Sequence, residues 1–214
     1  MKLVLKFGGT SLASPKDIIG VAKTVVSFSK DNEIVVVCSA VDGVTDDLII
    51  ISRMIEQRKK DAAAKVLDEL IKKHRKLADQ TIKNSTIKKQ LLEKLSTDVS
   101  ELQELVRGLT LLKEVSARSL DYLISFGERL SDDLVSFALQ DLKKKSTALN
   151  GKEVGIVTDS NFGESRPLMD TTKIRISKTL GSLLSKKIIP VVGGFAGADP
   201  VSYTHLTLPT ILLV

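Results

Sequence analysis

The segment Lys6-Phe7-Gly8-Gly9-Thr10-Ser11 brings a cation, two glycines and two hydroxyls together. It follows a short apolar run, residues 3–7, and precedes a helix start. Two glycines let the backbone approach an anion closely, and successive N–H groups favour phosphate. Lys6 adds a point charge. The spacing is neither a Walker A loop nor a dinucleotide fingerprint. On spacing alone, a tight strand–helix turn is an equal reading. Other chemistry-bearing residues are sparse. Cys38 is the single cysteine and ends an apolar run, so it reads as a small packed hydrophobe. One cysteine excludes an intrachain disulfide and a Cys-based zinc site. His74 and His205 stand far apart with no ligand cluster beside them, so no protein metal site is expected. His74 falls on an apolar stripe and reads as a structural or half-exposed histidine. Asp132-Asp133 could serve as a metal or charge site, but a solvated helical pair is the preferred reading.

These residues need elements to hold them. Ser14-Pro15-Lys16-Asp17 starts a helix, with Ser14 as N-cap and Pro15 at the first helical position. Residues 33–38 form a continuous apolar run of strand length, as in a parallel strand covered on both faces. Two strands joined by a helix predict a right-handed crossover and an α/β fold, with helices on both faces of a parallel sheet. A polar loop, 41–45, leads into another helix. Residues 60–115 read as three helical segments, with one break near Asn84-Ser85. They form an all-helical insert with its basic side chains in water. Residues 116–142 read as one long helix. Short strands follow at 147–149 and 154–157, then a helix at 174–185. A buried strand at 188–192 ends in Gly193-Gly194.

The 214 residues are 43% hydrophobic and 27% charged, which excludes a disordered or low-complexity chain. No apolar run reaches the roughly 18–20 residues of a membrane helix. The first residues do not make a signal peptide. A cytoplasmic protein is expected, with no membrane partner. The net charge is +6, and residues 58–94, with 12 basic and 5 acidic residues, account for all of it. Aromatics are 4% of the chain and none lies in that stretch. A solvated helical face is therefore preferred to a nucleic-acid patch.

Five ordered segments carry a resemblance. Residues 6–11 resemble the first-strand signature of aspartate kinases, in the amino-acid kinase family. Val36-Val37-Cys38-Ser39-Ala40, Thr45-Asp46-Asp47-Leu48 and Phe126-Gly127-Glu128-Arg129-Leu130-Ser131 are similar to three further motifs of that family. So is Pro190-Val191-Val192-Gly193-Gly194-Phe195-Ala196-Gly197. The resemblance covers residues 1–199, the amino-acid-substrate lobe. It implies an incomplete amino-acid kinase fold. Residues 200–214 depart from the pattern: no Arg, Gly or Asp occurs in Val201 to Val214. They are expected to be a non-family tail, with Leu206, Leu208, Ile211, Leu212, Leu213 and Val214 lying against the sheet or staying loose.

The resemblance implies phosphoryl transfer from ATP, with Mg²⁺, to the side-chain carboxylate of L-aspartate. This is the first step towards lysine, threonine and methionine. Lys6 would be catalytic, contacting the transferring phosphoryl group. Phe7, Gly8, Gly9, Thr10 and Ser11 would line the phosphate loop with it. Ser39, Thr45 and Glu128 would bind aspartate, Glu128 through the α-ammonium, and would converge on one pocket. As structural alternatives, Thr45 is a helix N-cap and Glu128 pairs with an inward Arg129 or a distant Lys. The fragment alone is expected to be inactive, and the longer enzyme a homo-oligomer. Another amino-acid or carbamate kinase, or a nucleic-acid-binding module, is the alternative function.

Overall fold

The protein is described by a computed structural model covering residues 1–199 and 203–206. Strand β1 (Lys2–Phe7) runs into a single 3₁₀ turn, then α1 (Pro15–Phe28) and β2 (Glu33–Cys38). Ser14 caps α1 as expected: its Oγ accepts from the Asp17 amide at 3.3 Å. Four helices follow, α2 (Val44–Glu56), α3 (Lys60–Thr81), α4 (Ser85–Leu112) and α5 (Ala117–Asp141). The chain then gives β3 (Ser146–Leu149), the single turn α6 (Gly151–Val154), α7 (Met169–Ser185) and β4 (Ile189–Gly193). Two short strands close the described chain, β5 (Ala196–Ala198) and β6 (Tyr203–His205).

The main sheet is parallel, in the order β1-β2-β4-β3. The chain moves outward from β1 to β2 to β3, then turns back to β4. Right-handed crossovers therefore put α1 and α5 on one face and α7 on the other. Burial agrees. Ile34, Val36 and Cys38 of β2 are buried beneath α1 and α5. On α7 only Thr172 is buried, and Ile174 is 72% exposed. One hydrophobic cluster runs from the sheet through α1 and α5 into α2, α3 and α4. The insert thus shares the main core.

Three sequence expectations change. Residues 85–112 form one helix, because Leu91, Leu95, Val99, Leu102, Val106 and Leu109 make one buried stripe at helical spacing. The polar step at its middle is absorbed by Asp98, whose carboxylate takes Lys94 at 2.7 Å and Arg129 at 2.6 Å. Residues 154–157 are not a strand. A capping box between Asn150 and Glu153 winds the segment into a helical turn, which Gly155 ends at φ 102°. Val157 makes only an isolated bridge to Ala198. Asp132 and Asp133 are buried rather than solvated, because α5 is covered by the sheet on one side and by the insert on the other. The break at Asn84 stands: its side chain accepts from the Thr86 and Ile87 amides, and Asp141 holds the same turn to the end of α5. Most lysines and arginines of α3 and α4 are exposed, as expected.

Candidate active site

The carboxyl ends of β1, β2 and β4 meet at one edge of the sheet, where open α/β folds take ligands. A cavity of about 400 Å³ opens there. Gly9 and Thr10 line it from the turn after β1, and Ser39, Thr45 and Asp46 from the segment after β2. Asp121, Ser125 and Glu128 line it from α5, and Phe195, Ala196, Thr204 and His205 from β5, β6 and the turn before them. The predicted convergence of Ser39, Thr45 and Glu128 is present.

Each wall has a local cause. Gly9 lies where a Cβ would stand 2.8 Å from the Ala40 carbonyl oxygen, so only glycine lets the two strand ends come this close. The Ser39 amide donates to the Phe7 carbonyl, and Ser131 Oγ donates to the Ser39 carbonyl at 2.7 Å. These bonds tie β1, β2 and α5 together. Thr45 is not the N-cap of α2. Gly43 holds that place with φ 76°, and Thr45 is the second residue of the helix. A left-handed residue suits glycine, and Thr45, in the first turn of the helix, lines the cavity.

Glu128 is 7% exposed. Its partner is neither Arg129 nor a lysine contact but the turn after β4. The amides of Gly194, Phe195 and Ala196 donate to its carboxylate at 2.9–3.1 Å. Three amides favour the charged form and burial disfavours it. Burial wins: the carboxyl is pushed up to about 7, with the amides and the Lys6 charge pulling the other way. Arg129 faces outward to the insert, where its Nη2 reaches Asp98 and Glu101, each at 2.6 Å. Its guanidinium also lies 4.3 Å from the Phe126 ring centre.

Lys6 is exposed at the end of β1, with Nζ 5.3 Å from the Phe195 ring centre. It stands beside the cavity wall rather than in it. Gly8 precedes the 3₁₀ turn, Ser11 donates back to the Gly8 carbonyl at 3.0 Å, and Phe7 is half-buried towards the core. Sequence reasoning missed Asp121 and Ser125. Their spacing to Glu128, seven and three residues along one helix, was the available signal. It also missed Thr204 and His205 in the segment set apart as a tail. Thr204 is fully buried, its hydroxyl 2.8 Å from that of Thr158, and His205 is paired with Ala196. Leu208, Ile211, Leu212, Leu213 and Val214 lie outside the described residues.

The sequence model of the amino acid kinase family matches residues 1–207. Aspartokinase 3, chloroplastic, of Arabidopsis thaliana is 31% identical over 196 residues, which are 91% of this chain and 34% of that protein. E. coli aspartokinase III, solved in complex with lysine and aspartate, superposes with a TM-score of 0.82 at 21% identity. That match covers 95% of this chain and 43% of the other. The same enzyme in complex with aspartate and ADP gives 0.76, also at 21% identity, over 96% of this chain and 43% of that one. The chain spans about a third of the length of the curated relatives it matches.

Proposed function

The chain belongs to the amino acid kinase family, and from that premise we propose that it is the amino-acid-binding part of an aspartate kinase. Residues 1–199, with the insert 60–115, form the substrate lobe in this reading, and β6 (Tyr203–His205) adds to its cavity wall. The reaction moves the γ-phosphoryl group of ATP to the side-chain carboxylate of L-aspartate. A carboxylate oxygen forms the new O–P bond, the bond to the β-phosphate oxygen breaks, and ADP leaves. Little covalent help is needed, so position and positive charge do the catalysis.

Glu128 carries the reading. A carboxylate fixed by three amides on a cavity wall suits an α-ammonium group. Thr45 and Ser39 add hydroxyls within the same cavity. Lys6, beside the wall, is the cation for the phosphoryl group, and residues 7–11 approach the nucleotide phosphates. Mg²⁺ belongs to the nucleotide in this reading: among the described residues no group of three metal-ligating side chains occurs. The relatives named as aspartokinases, and the solved complex with aspartate and ADP, support these substrates. A cytoplasmic setting and self-association of the longer enzyme go with them. No helix among the described residues is long and apolar enough to cross a membrane.

Calorimetric titration with L-aspartate tests the reading, with succinate as the control that lacks the ammonium. L-Aspartate should bind and succinate should bind far more weakly. Glu128→Gln should weaken aspartate binding roughly ten- to two-hundredfold, the loss of one charge-assisted contact of about 1.5–3 kcal/mol. Equal binding of the two acids would remove Glu128 from the ammonium role.

A further inference from the structure

Asp132 lies one helical turn after Glu128 on α5, so the two side chains share a face. It is 2% exposed, and neither carboxyl oxygen has a hydrogen-bond partner. The Gly193 amide is close enough to favour the Asp132 anion but does not reach hydrogen-bond geometry with either oxygen. Both carboxyls crowd the same glycine: a Cβ on Gly193 would stand 2.6 Å from Glu128 Oε2 and 3.2 Å from Asp132 Oδ2. Glu128 thus has three amide donors, and its neighbour has none.

The charged groups acting on Asp132 itself are carboxyls, Glu128 and Asp133, both from α5. Asp133 faces Lys94 of α4, at 3.6 Å, and Asp98. From β2, the Cys38 thiol is pushed well up by burial and by the two carboxyls, so it stays neutral. From β6, His205 is pushed down by burial. Asp42, Asp46 and Asp121 are the other acids on the cavity wall. Lys6 of β1 favours the Glu128 anion. Two buried carboxylates this close do not both ionise, and the better solvated one ionises first.

We propose that Asp132 keeps its proton while Glu128 carries the charge, so that the pair offers one negative charge to the cavity. Asp132 is then a specificity-determining neighbour of the ammonium subsite. Two ionised carboxylates would make a hard oxygen site for a divalent cation. One carboxylate over a neutral acid matches a single ammonium. The ligand assignment rests on Glu128 holding the α-ammonium; the division of charge does not.

Carboxyl ¹³C resonances of the ligand-free chain test it, titrated from pH 5 to 9, with Asp132→Asn and Glu128→Gln giving the assignments. Asp132 should remain a protonated acid at pH 7 while Glu128 titrates near neutrality. In Glu128→Gln the Asp132 midpoint should fall by roughly one unit or more, because its charged neighbour is gone. Asp132→Asn, a permanently neutral isostere, should leave the Glu128 midpoint where it stands in the unaltered chain, because a protonated Asp132 adds no charge either. An ionised Asp132 at pH 7, or a midpoint indifferent to Glu128→Gln, would overturn the proposal. If either variant fails to fold, the infrared spectrum of the unaltered chain decides. A buried carboxylic C=O band that persists at pH 8 supports the proposal, and its absence overturns it. Failure of L-aspartate to bind, with the titration as expected, removes the ligand assignment alone.

Discussion

At the scale of single residues, the candidate site depends on backbone as much as on side chains. Glu128 is useful because the turn at Gly194, Phe195 and Ala196 points three amides at it. That turn comes close because residue 193 has no side chain. Gly193→Ala should therefore push the Glu128 carboxylate out of place, since the new Cβ would sit 2.6 Å from its Oε2. A loss of roughly tenfold or more in L-aspartate affinity is expected, as for one imperfect charge-assisted contact. An unchanged calorimetric titration would show that the amides do not set the carboxylate. Lys6 makes a different prediction because it is exposed and free to reach a ligand. In a version carrying the complete enzyme, Lys6→Ala should lower kcat by roughly 10²–10³, the usual effect of losing one preorganised charge. Lys6, Thr45 and Glu128 were legible in the sequence as motif members. The partner of Glu128 was not, because backbone amides leave no trace in residue type. Asp132 was misread for a related reason. A carboxylate beside another on a helix reads as solvated unless both faces of that helix are known to be covered.

At the scale of elements, β1, β2, β4, α1 and α5 were legible because apolar period and capping agree there. Ser14 before Pro15, and Asn84 before α4, both act as N-caps as their types demand. The strand expected at 154–157 was lost to a local capping box, whereas the break expected within α4 was removed by a distant partner. Asp98 suggested nothing about continuity until Arg129 of α5 was placed beside it, 31 positions away. His74 shows what such burial costs. It sits inside α3 at 1% exposure, with Nδ1 2.9 Å from the Leu70 carbonyl and Nε2 unpartnered. Burial first, and the Lys73 charge with it, depresses its pKa to about 4. The unfolded chain therefore binds this proton more readily, at the ordinary value near 6.5. Its contribution to stability is complete above about pH 6.5 and is lost as pH falls towards 4. The full loss amounts to about 3 kcal/mol. His74→Leu should flatten the urea midpoint across that window relative to the unaltered chain. Parallel pH profiles for the two proteins would remove His74 as the acid-sensitive group of the insert.

At the scale of the whole molecule, two surfaces compete for a ligand. One is the cavity at the sheet edge, walled by α5 and the strand ends. The other is the basic stretch 58–94, running along α3 into the start of α4, with 12 basic against 5 acidic residues. The two differ in physics. The cavity offers a fixed carboxylate among amides, a short-range site that salt screens little. The helical face offers lysines and arginines in water and no aromatic ring on which a base could stack. Its grip on a polyanion would come from counterion release and would fall steeply with salt. A fluorescent single-stranded oligonucleotide should thus bind no tighter than the non-specific 10⁻⁴–10⁻⁶ M at physiological salt, and should be released as salt rises. L-Aspartate affinity should change by less than about twofold over the same range, because its contacts are enclosed. Anisotropy and calorimetry on one preparation measure both. A tight complex with nucleic acid that survives high salt would shift the working surface from the sheet edge to the insert. The opposite pattern keeps the insert as scaffold: its core is continuous with that of the sheet, and through Asp98 and Glu101 it holds the helix that carries Glu128.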